Sequence, residues 1–351
     1  MKIIHCGDIH LDSGMEHNLT PAKARERNAE ICGTFVRMVQ YAREQDVAAI
    51  LIAGDLFDTG HVSARTADFV ENQIRRAENI QFYYLRGNHD QRNVMFAGQD
   101  LPGNFHTFGE GWTSHRLGNV VITGLEMTRD NCCNMYEDLK LDASDTNIVT
   151  LHGMESARPG EEEIAIPMLR NRNIHYLALG HIHSHKLAKL DEFGQYGYCG
   201  SPEGRGFDEC GEKGFVLLDI RGQNVQAEFV PIAERRLHEI SVDITGLTTV
   251  TRILTAMETA AAEIPASDLV KFVLTGGYTP ETQKDLGFLT KMLESRFYCV
   301  KVQDQSRLKL LPGSYEHDIS LKGEFIRLVL ASDKTEEEKE VEEEPLEMRT
   351  S

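Results

Sequence analysis

Five short polar clusters in the sequence carry side chains that can bind metal ions. Each follows, or nearly follows, an apolar run that predicts a β-strand, and glycine accompanies most of them. Carboxylate, imidazole and amide oxygen form a ligand set that suits Mn²⁺, Fe²⁺ or Zn²⁺ better than thiolate-preferring metals. In chain order the clusters are Gly7-Asp8-Ile9-His10, Gly54-Asp55-Leu56-Phe57-Asp58, Gly87-Asn88-His89-Asp90, His152-Gly153 and Gly180-His181-Ile182-His183. We predict that they supply one metal centre.

The second cluster organises the others. It follows residues 47–53, an uncharged run rich in branched aliphatic side chains that predicts a strand buried on both faces. A carboxylate at the end of such a strand leaves the core for a crevice, where a cation must compensate its charge. Gly54 allows a sharp turn and the close approach of another group. We predict that Asp55 bridges two ions about 3.5–4 Å apart, the spacing that clamps a phosphoryl centre.

The elements around these clusters predict an α/β fold. Strands over 1–6, 47–53 and 80–85 alternate with helices over 21–44 and 63–77, and crossovers of this length imply parallel pairing. Ligands of open α/β sheets bind beyond the carboxyl ends of the strands, so the clusters should meet at one edge. Further along, the pattern predicts a hairpin over 112–123, a strand over 147–151, a helix near 162–171 and a strand over 174–179.

Composition limits the function classes. The chain has 351 residues, 41% of them hydrophobic, and a formal net charge of −18 that makes it a poor general binder of polyanions. The seven cysteines form no CxxC pair, Asp8 comes too early for a signal peptide, and no apolar run approaches membrane-spanning length. We expect a cytoplasmic protein without a membrane segment. Basic residues that could either follow DNA phosphates or be ordinary surface charges are Arg75, Arg76, Arg92, Lys186, Lys189, Arg205, Arg235 and Arg236.

The character of the chain changes near Pro231. We predict a first domain over 1–234, a smaller α/β domain over 235–315, and a C-terminal helix with an acidic tail over 316–351. The acidic run 336–344 is typical of a solvated tail. The amphipathic segment 321–330 either docks on a partner or packs on its own domain, and the sequence leaves both open.

The order and the residue patterns of the five clusters resemble the calcineurin-like metallophosphoesterase superfamily, with its D-x-H, G-D-x-x-D, G-N-H-D, H-G and G-H-x-H motifs. Some longer sequence segments are similar to the SbcD-type nucleases, the nuclease subunits of a DNA double-strand-break repair complex. These segments are Gly54 to Asp58, Leu85 to Asp90, Gly200-Ser201-Pro202-Glu203 and Gly211 to Phe215. The resemblance covers roughly residues 1–245. It implies a metallophosphoesterase sandwich of two mixed β-sheets flanked by helices, with a smaller α/β capping domain that binds DNA.

Carried over to the matching positions, the resemblance implies two divalent ions, with Mn²⁺ expected first. The ligands of one ion would be Asp8, His10, Asp55 and His183, and those of the other Asp55, Asn88, His152 and His181. His89 would face the scissile phosphate and protonate the departing sugar oxygen. Asp90 would orient His89. The chain departs from relatives that carry histidine directly after G-D-L-F, because Asp58 stands there, and His61 is a possible substitute.

These features predict a metal-dependent DNA exonuclease or endonuclease. The resemblance implies that it acts as a homodimer with an SbcC-type coiled-coil ATPase. A phosphodiesterase or phosphatase for nucleotides or small phosphoesters is the alternative, because the metal site alone does not choose the substrate. A third hypothesis is a metal-binding scaffold without catalytic activity.

Overall fold

The computed structural model describes residues 1–15, 19–58, 62–90 and 101–309, together with 319–320, 323–324 and 327–328. The chain divides into two compact units, Met1–Arg236 and Leu237–Ser351. The predicted helix over 321–330 falls mostly outside the described residues, and His61, Arg92 and the acidic run lie wholly outside them. Among the described residues, no helix combines the length and apolar composition that a membrane crossing requires.

The first unit contains fourteen strands and four helices in its described part. Its first half comprises β1 Lys2–Cys6, α1 Pro21–Glu44, β2 Ala49–Ala53, α2 Ala64–Arg76, β3 Gln81–Leu85, β4 Phe105–Thr107, β5 Thr113–Leu117, β6 Val120–Gly124 and α3 Met135–Asp138. Its second half comprises β7 Thr146–His152, β8 Met154–Ser156, β9 Glu163–Ala165, α4 Ile166–Leu169, β10 Tyr176–Gly180, β11 Lys186–Lys189, β12 Gln195–Tyr198, β13 Gly214–Arg221 and β14 Asn224–Pro231.

Two six-stranded mixed sheets form the body of this unit, which confirms the predicted fold class. The strand order is β14-β13-β1-β2-β3-β4 in one sheet and β11-β12-β10-β7-β6-β5 in the other. Strands β1 to β4 pair in parallel, as the crossover lengths predict, and β13 joins β1 antiparallel. In the second sheet β6, β7, β10 and β12 are parallel, while β5 and β11 pair antiparallel at its two edges.

Side chains that alternate along the strands build three apolar layers. Ile4 of β1 points toward α1 and α2, whereas Ile3 belongs to the core between the two sheets. In β7, Val149 faces the α3 and α4 side and Ile148 faces the space between the sheets. The unit is therefore a four-layer sandwich in which both sheets are covered on both faces.

The helix predicted near 162–171 is wrong in most of its length. Glu163–Ala165 is a short strand that pairs in parallel with Met154–Ser156, and only Ile166–Leu169 is helical. Pro167 lies in the first turn of that helix. Because proline has no N–H and clashes with the preceding turn, a helix cannot run through it from residue 162. The predicted hairpin over 112–123 is confirmed as the antiparallel pair β5 and β6.

The second unit has its own α/β core. It comprises β15 Leu237–Asp243, α5 Val250–Ala260, β16 Leu269–Thr275, β17 Gly277–Tyr278, α6 Leu286–Glu294, β18 Cys299–Asp304 and β19 Arg307–Leu308. Strands β15, β16 and β18 form a parallel sheet, and apolar residues of both helices join its core.

Candidate metal centre

The carboxyl ends of five parallel strands deliver the predicted ligands. Asp8 and His10 follow β1, Asp55 follows β2, and Asn88 follows β3 in the first sheet. In the second sheet His152 ends β7, while His181 and His183 follow β10. Hydrogen-bond and ion-pair distances link all of these side chains, so the structure brings the predicted residues of both sheets together.

The backbone at this edge is unusual. Asp8, His10, Asp55 and His181 adopt positive φ angles of 50°, 51°, 48° and 100°. Residues other than glycine pay a conformational cost in that region, and such residues concentrate at functional sites. Here the turns bring ligand-type side chains back over the strand ends.

Asp8, His10 and His183 form the first group of potential ligands, with one donor atom from each within 4.8 Å of the others. The Nε2 atoms of His10 and His183 lie 3.1 Å apart. The other ring nitrogens face carboxylates: His10 Nδ1 is 2.9 Å from Asp58 Oδ1, and His183 Nδ1 is 2.7 Å from Glu209 Oε1. The hydrogen bond with Glu209 places a proton on His183 Nδ1, and the Asp58 carboxylate beside His10 Nδ1 favours a proton there as well. Both Nε2 lone pairs are then directed at the same space.

Asp8, Asp55 and His152 form the second group, on the same 4.8 Å criterion. His152 Nδ1 donates to the Ala53 carbonyl oxygen at 2.9 Å, which leaves Nε2 facing Asp55 Oδ2 at 3.4 Å and Asn88 Oδ1 at 2.9 Å. His181 Nδ1 is 3.3 Å from the same Asn88 oxygen. The Asp8 carboxylate accepts the His181 backbone N–H at 2.9 Å.

This donor set fits divalent cations. Lone pairs of imidazole, carboxylate and amide groups point at one another at 3.1–3.4 Å, an arrangement that repels unless positive charge lies between them. Burial disfavours a charged His152, yet the Asp55 and Asp8 carboxylates raise the pKa of this imidazole to about 9. Burial likewise opposes ionisation of Asp55, but its histidine neighbours lower the pKa of Asp55 to about 2. The centre thus attracts positive charge.

Two glycines make room for the ligands. A Cβ atom on Gly54 would lie 2.0 Å from His152 Nδ1, and the φ of Gly54 is +96°. A Cβ atom on Gly87 would lie 2.2 Å from Asp55 Oδ1. The glycines of the sequence clusters therefore allow ligand side chains to approach the backbone of neighbouring strand ends.

His89 lies at the rim of the cluster. Its ring packs edge-to-face on His10 with centroids 4.9 Å apart, and its side chain is 43% exposed. The backbone N–H of His89 donates to Asp55 Oδ1 at 3.0 Å, and Nδ1 donates to the Asp58 carbonyl oxygen at 2.9 Å. Nε2 is then the ring nitrogen available to a bound substrate.

Asp90 has a different place from the one predicted. Its Oδ1 accepts the Gly87 N–H at 2.6 Å, and its Oδ2 accepts the Leu56 N–H at 2.9 Å and the Tyr84 hydroxyl at 2.5 Å. Burial, helped by the charge of Asp55, raises the pKa of Asp90 to about 6. Among the described residues the His89 ring is oriented by the Asp58 carbonyl, whereas Asp90 joins the loops that carry Asp55 and Asn88.

Sequence reasoning missed Glu209 and the role of Asp58. Glu209 is buried and contacts His183, and Asp58 contacts His10. Burial alone would raise the pKa of Glu209, but His183 and Arg205 lower it to about 2. No local signal marks Glu209, because it lies in the middle of the loop between β12 and β13 and does not directly follow an apolar strand. The aspartate that closes Gly54-Asp55-Leu56-Phe57-Asp58 was visible in the sequence as a departure from the relatives.

Comparisons with known proteins agree with this geometry. A family model described as calcineurin-like phosphoesterase matches residues 1–185. The uncharacterized metallophosphoesterase YhaO of Bacillus subtilis is 25% identical over 318 residues, which cover 84% of this chain and 77% of that protein.

Two relatives with more specific names are more distant. The DNA double-strand break repair protein Mre11 of Sulfurisphaera tokodaii is 24% identical, over 70% of this chain and 66% of its own length. The SbcD chain of the nuclease SbcCD of Escherichia coli is 22% identical, over 91% of this chain and 90% of its own. The family model matches more than half of the residues of this chain. The chain therefore belongs to the calcineurin-like phosphoesterase family of metal-dependent hydrolases.

Proposed function

We propose that the protein is a DNA nuclease that hydrolyses phosphodiester bonds at DNA ends. The observation that carries this proposal is the position of His89, a partly exposed imidazole at the rim of a cluster of buried potential metal ligands. A phosphodiester needs charge neutralisation at its oxygens and a proton for its leaving oxygen, and this arrangement offers groups for both. The names of two relatives, the nuclease SbcCD and the repair protein Mre11, favour DNA as the substrate.

We propose two metal positions that share Asp55, because its Oδ2 lies 3.9 Å from His10 Nε2 and 3.4 Å from His152 Nε2. We assign one ion to Asp8, His10, Asp55 and His183, and the other to Asp55, Asn88, His152 and His181. When bound, such ions lower the pKa of a water molecule and neutralise the oxygens of a phosphodiester. Mn²⁺ is the first candidate, and Fe²⁺ and Zn²⁺ suit the same donor types.

The residues of the chain then have separate tasks. The Asp58 carbonyl oxygen holds Nδ1 of His89 and fixes the direction of the ring. A protonated His89 can donate its Nε2 proton to the departing sugar oxygen as a general acid. The carboxylates of Asp8 and Asp55, both buried, hold positive charge beside the reacting phosphate.

Two of the basic residues considered for DNA contact are engaged elsewhere. The Arg205 guanidinium, 19% exposed, pairs with Asp58 at 2.6 Å and lies 3.3 Å from Glu209. Arg235, 16% exposed, pairs with Glu30 at 2.7 Å. We therefore assign neither a direct contact with DNA phosphates.

Because the alignment with the SbcD chain of SbcCD covers 90% of that chain, we further propose an SbcC-type coiled-coil ATPase as partner and a homodimer as the active form. DNA binding by residues 235–315 stays a prediction. Co-expression with the candidate ATPase and size-exclusion chromatography with light scattering test both assemblies; a monomer that elutes apart from the ATPase contradicts them.

The function is tested with linear duplex DNA in Mn²⁺. We expect the full chain to shorten end-labelled duplexes, and we expect this shortening to stop when EDTA is added. His89→Ala should lower the rate 10²–10⁴-fold, the contribution typical of a general acid. Isothermal titration calorimetry of the same variant should show wild-type Mn²⁺ binding.

His115→Ala is the matched control, because His115 is another histidine with one ring nitrogen on a backbone carbonyl, 3.0 Å from the Thr107 oxygen. It should leave DNA cleavage unchanged. Hydrolysis of bis-p-nitrophenyl phosphate without shortening of DNA would contradict the nuclease assignment and favour small phosphoesters. Stoichiometric Mn²⁺ binding without hydrolysis of either substrate would favour a scaffold.

A further inference from the structure

Arg205 lies between two carboxylates that each face a potential metal ligand. Its Nη1 donates to Asp58 Oδ1 at 2.6 Å, and its Nε donates to Glu209 Oε1 at 3.3 Å. The backbone N–H of Arg205 also donates to Glu209 Oε2, at 3.0 Å. All three side chains are mostly buried: Arg205 is 19% exposed, Asp58 18% and Glu209 6%.

Each carboxylate contacts the far side of one imidazole. Asp58 Oδ1 faces His10 Nδ1 at 2.9 Å, and Glu209 Oε1 faces His183 Nδ1 at 2.7 Å. The two rings meet at their Nε2 atoms, 3.1 Å apart. One guanidinium therefore links the outer partners of the two histidines that point at the same place.

We infer that Arg205 is a positioning residue of the metal centre, which holds Asp58 and Glu209 so that His10 and His183 present Nε2 to one ion. The inference rests on the proposed two-metal site. Arginine suits this task because its planar fork can bond two carboxylates at once, whereas lysine is a point charge on a flexible stem. Two carboxylates close to the ligand carboxylates would otherwise repel one another and move away from the rings.

The same contacts explain why this chain can carry aspartate after Gly54-Asp55-Leu56-Phe57. The acidic side chain of Asp58 is balanced by Arg205, which lies 147 residues later in the sequence. Asp58 Oδ1 lies 2.9 Å from His10 Nδ1 and 3.8 Å from Nδ1 of the neighbouring His89 ring.

The inference is tested by Mn²⁺ titration of the full chain in the absence of any nucleic acid, so that its outcome does not depend on which phosphoester the protein cleaves. We expect wild-type protein to bind Mn²⁺ in two steps. Arg205→Gln should weaken one step 10- to 100-fold, the usual effect of removing an outer partner of a metal ligand. The other step, which depends on His152, His181 and Asn88, should stay within about threefold of wild type because none of these ligands contacts Arg205.

Three further variants sharpen the result. Arg116→Gln is the matched control, because Arg116 pairs with Asp145 through both Nη atoms but is 58% exposed; it should bind Mn²⁺ as wild type does. Arg205→Lys keeps the charge but not the fork and should remain weakened in the same step. Glu209→Gln should weaken that step about tenfold, and it serves as the test if Arg205→Gln does not fold by circular dichroism in EDTA.

A spectroscopic reading separates positioning from general stability. The visible absorption bands of the Co²⁺-loaded protein report ligand geometry, and we expect Arg205→Gln to change them while Arg116→Gln does not. Equal weakening of both Mn²⁺ steps, or no weakening of either, would overturn the inference. Wild-type affinity in Arg205→Lys would overturn the bridging role, since charge alone would then account for the effect.

Discussion

Arg27 Nη2 and Glu203 Oε1 lie 2.9 Å apart in the interior of the first unit, with side chains that are 0% and 1% exposed. The second carboxylate oxygen of Glu203 accepts the Thr34 hydroxyl at 2.7 Å and the Glu234 backbone N–H at 2.8 Å. Helix α1 is thereby joined to the segment that follows β12 and to the end of the unit. Glu203 belongs to the segment Gly200-Ser201-Pro202-Glu203, whose sequence resembles the SbcD-type nucleases. The contacts of Glu203 show that it has a structural role.

This pair predicts a large loss of stability when one partner is removed. Glu203→Ala removes one of the two carboxylates that pair with the buried Arg27, the other being Glu30, and it also removes the acceptor of the Thr34 hydroxyl. It should lower the free energy of unfolding by about 3–5 kcal/mol. Urea denaturation of the metal-free protein measures this loss in the free energy of unfolding. The comparison is Asp145→Ala, which breaks the pair with the exposed Arg116 and should cost much less because solvent screens it. Similar losses in the two variants would contradict a special role for the buried pair.

Gly87→Ala should damage the metal centre through a single methyl group. That Cβ would lie 2.2 Å from Asp55 Oδ1, so the carboxylate or the strand end must move. We expect the Mn²⁺ affinity to fall at least tenfold, because the proposed bridging ligand is displaced. Calorimetric titration measures this change.

Gly103→Ala is the control for that variant, because a Cβ there meets no heavy atom within 4 Å. It should retain wild-type Mn²⁺ affinity and change the free energy of unfolding by less than about 0.5 kcal/mol. Unaltered metal binding in Gly87→Ala would show that the Asp55 carboxylate is not where the structure places it, or does not bind the ion.

Strand ends were the part of this protein that local sequence patterns could predict. Residues 47–53 are apolar because β2 is covered on both faces, and the turn after it carries the buried Asp55 into the metal centre. The same logic located His152 after β7 and His181 after β10. Short-range periodicity carries this information because a strand buried on both faces needs an uninterrupted apolar run.

The contacts behind the ligands could not be predicted in this way. Glu209 reaches His183 across 26 positions, and Arg205 reaches Asp58 across 147. Such pairs arise only when the loops fold over the sheet edges, and charged loop residues look alike in sequence whether they are buried or exposed. Asp90 shows a related limit, since its position beside His89 suggested an orienting role while its carboxylate in fact turns toward three backbone and hydroxyl donors.

His5 predicts how stability depends on pH. It is fully buried with Nδ1 2.9 Å from the Tyr176 hydroxyl, and burial lowers its pKa from 6.5 to about 3. The unfolded chain therefore binds a proton below pH 6.5 that the folded chain does not accept until about pH 3. The stability contributed by neutral His5 is present above pH 6.5 and is lost as the pH falls through this window, by about 1.4 kcal/mol per pH unit.

Urea denaturation in EDTA at several pH values between 4.5 and 6.5 isolates this effect. The free energy of unfolding of His5→Gln should fall less steeply toward low pH than that of the wild type, by about one proton's worth of slope. The control is His115→Gln, at a half-buried ring, which should keep the wild-type slope. Identical slopes in wild type and His5→Gln would mean that His5 is protonated in the folded protein.

Asp90→Asn separates a structural from a catalytic role for this side chain. The NH₂ group of the asparagine would face hydrogen-bond donors that now donate to a carboxylate oxygen. Because two donors cannot pair with each other, the free energy of unfolding should fall by about 2–3 kcal/mol. His89→Ala changes a partly exposed ring and should leave stability within about 0.5 kcal/mol while it removes turnover. The two variants are compared by urea denaturation and by phosphodiester hydrolysis in Mn²⁺. If Asp90→Asn keeps wild-type stability and yet loses turnover as His89→Ala does, Asp90 acts on the histidine after all. The reason is that a residue that only joins two loops cannot affect turnover without affecting the stability of those loops.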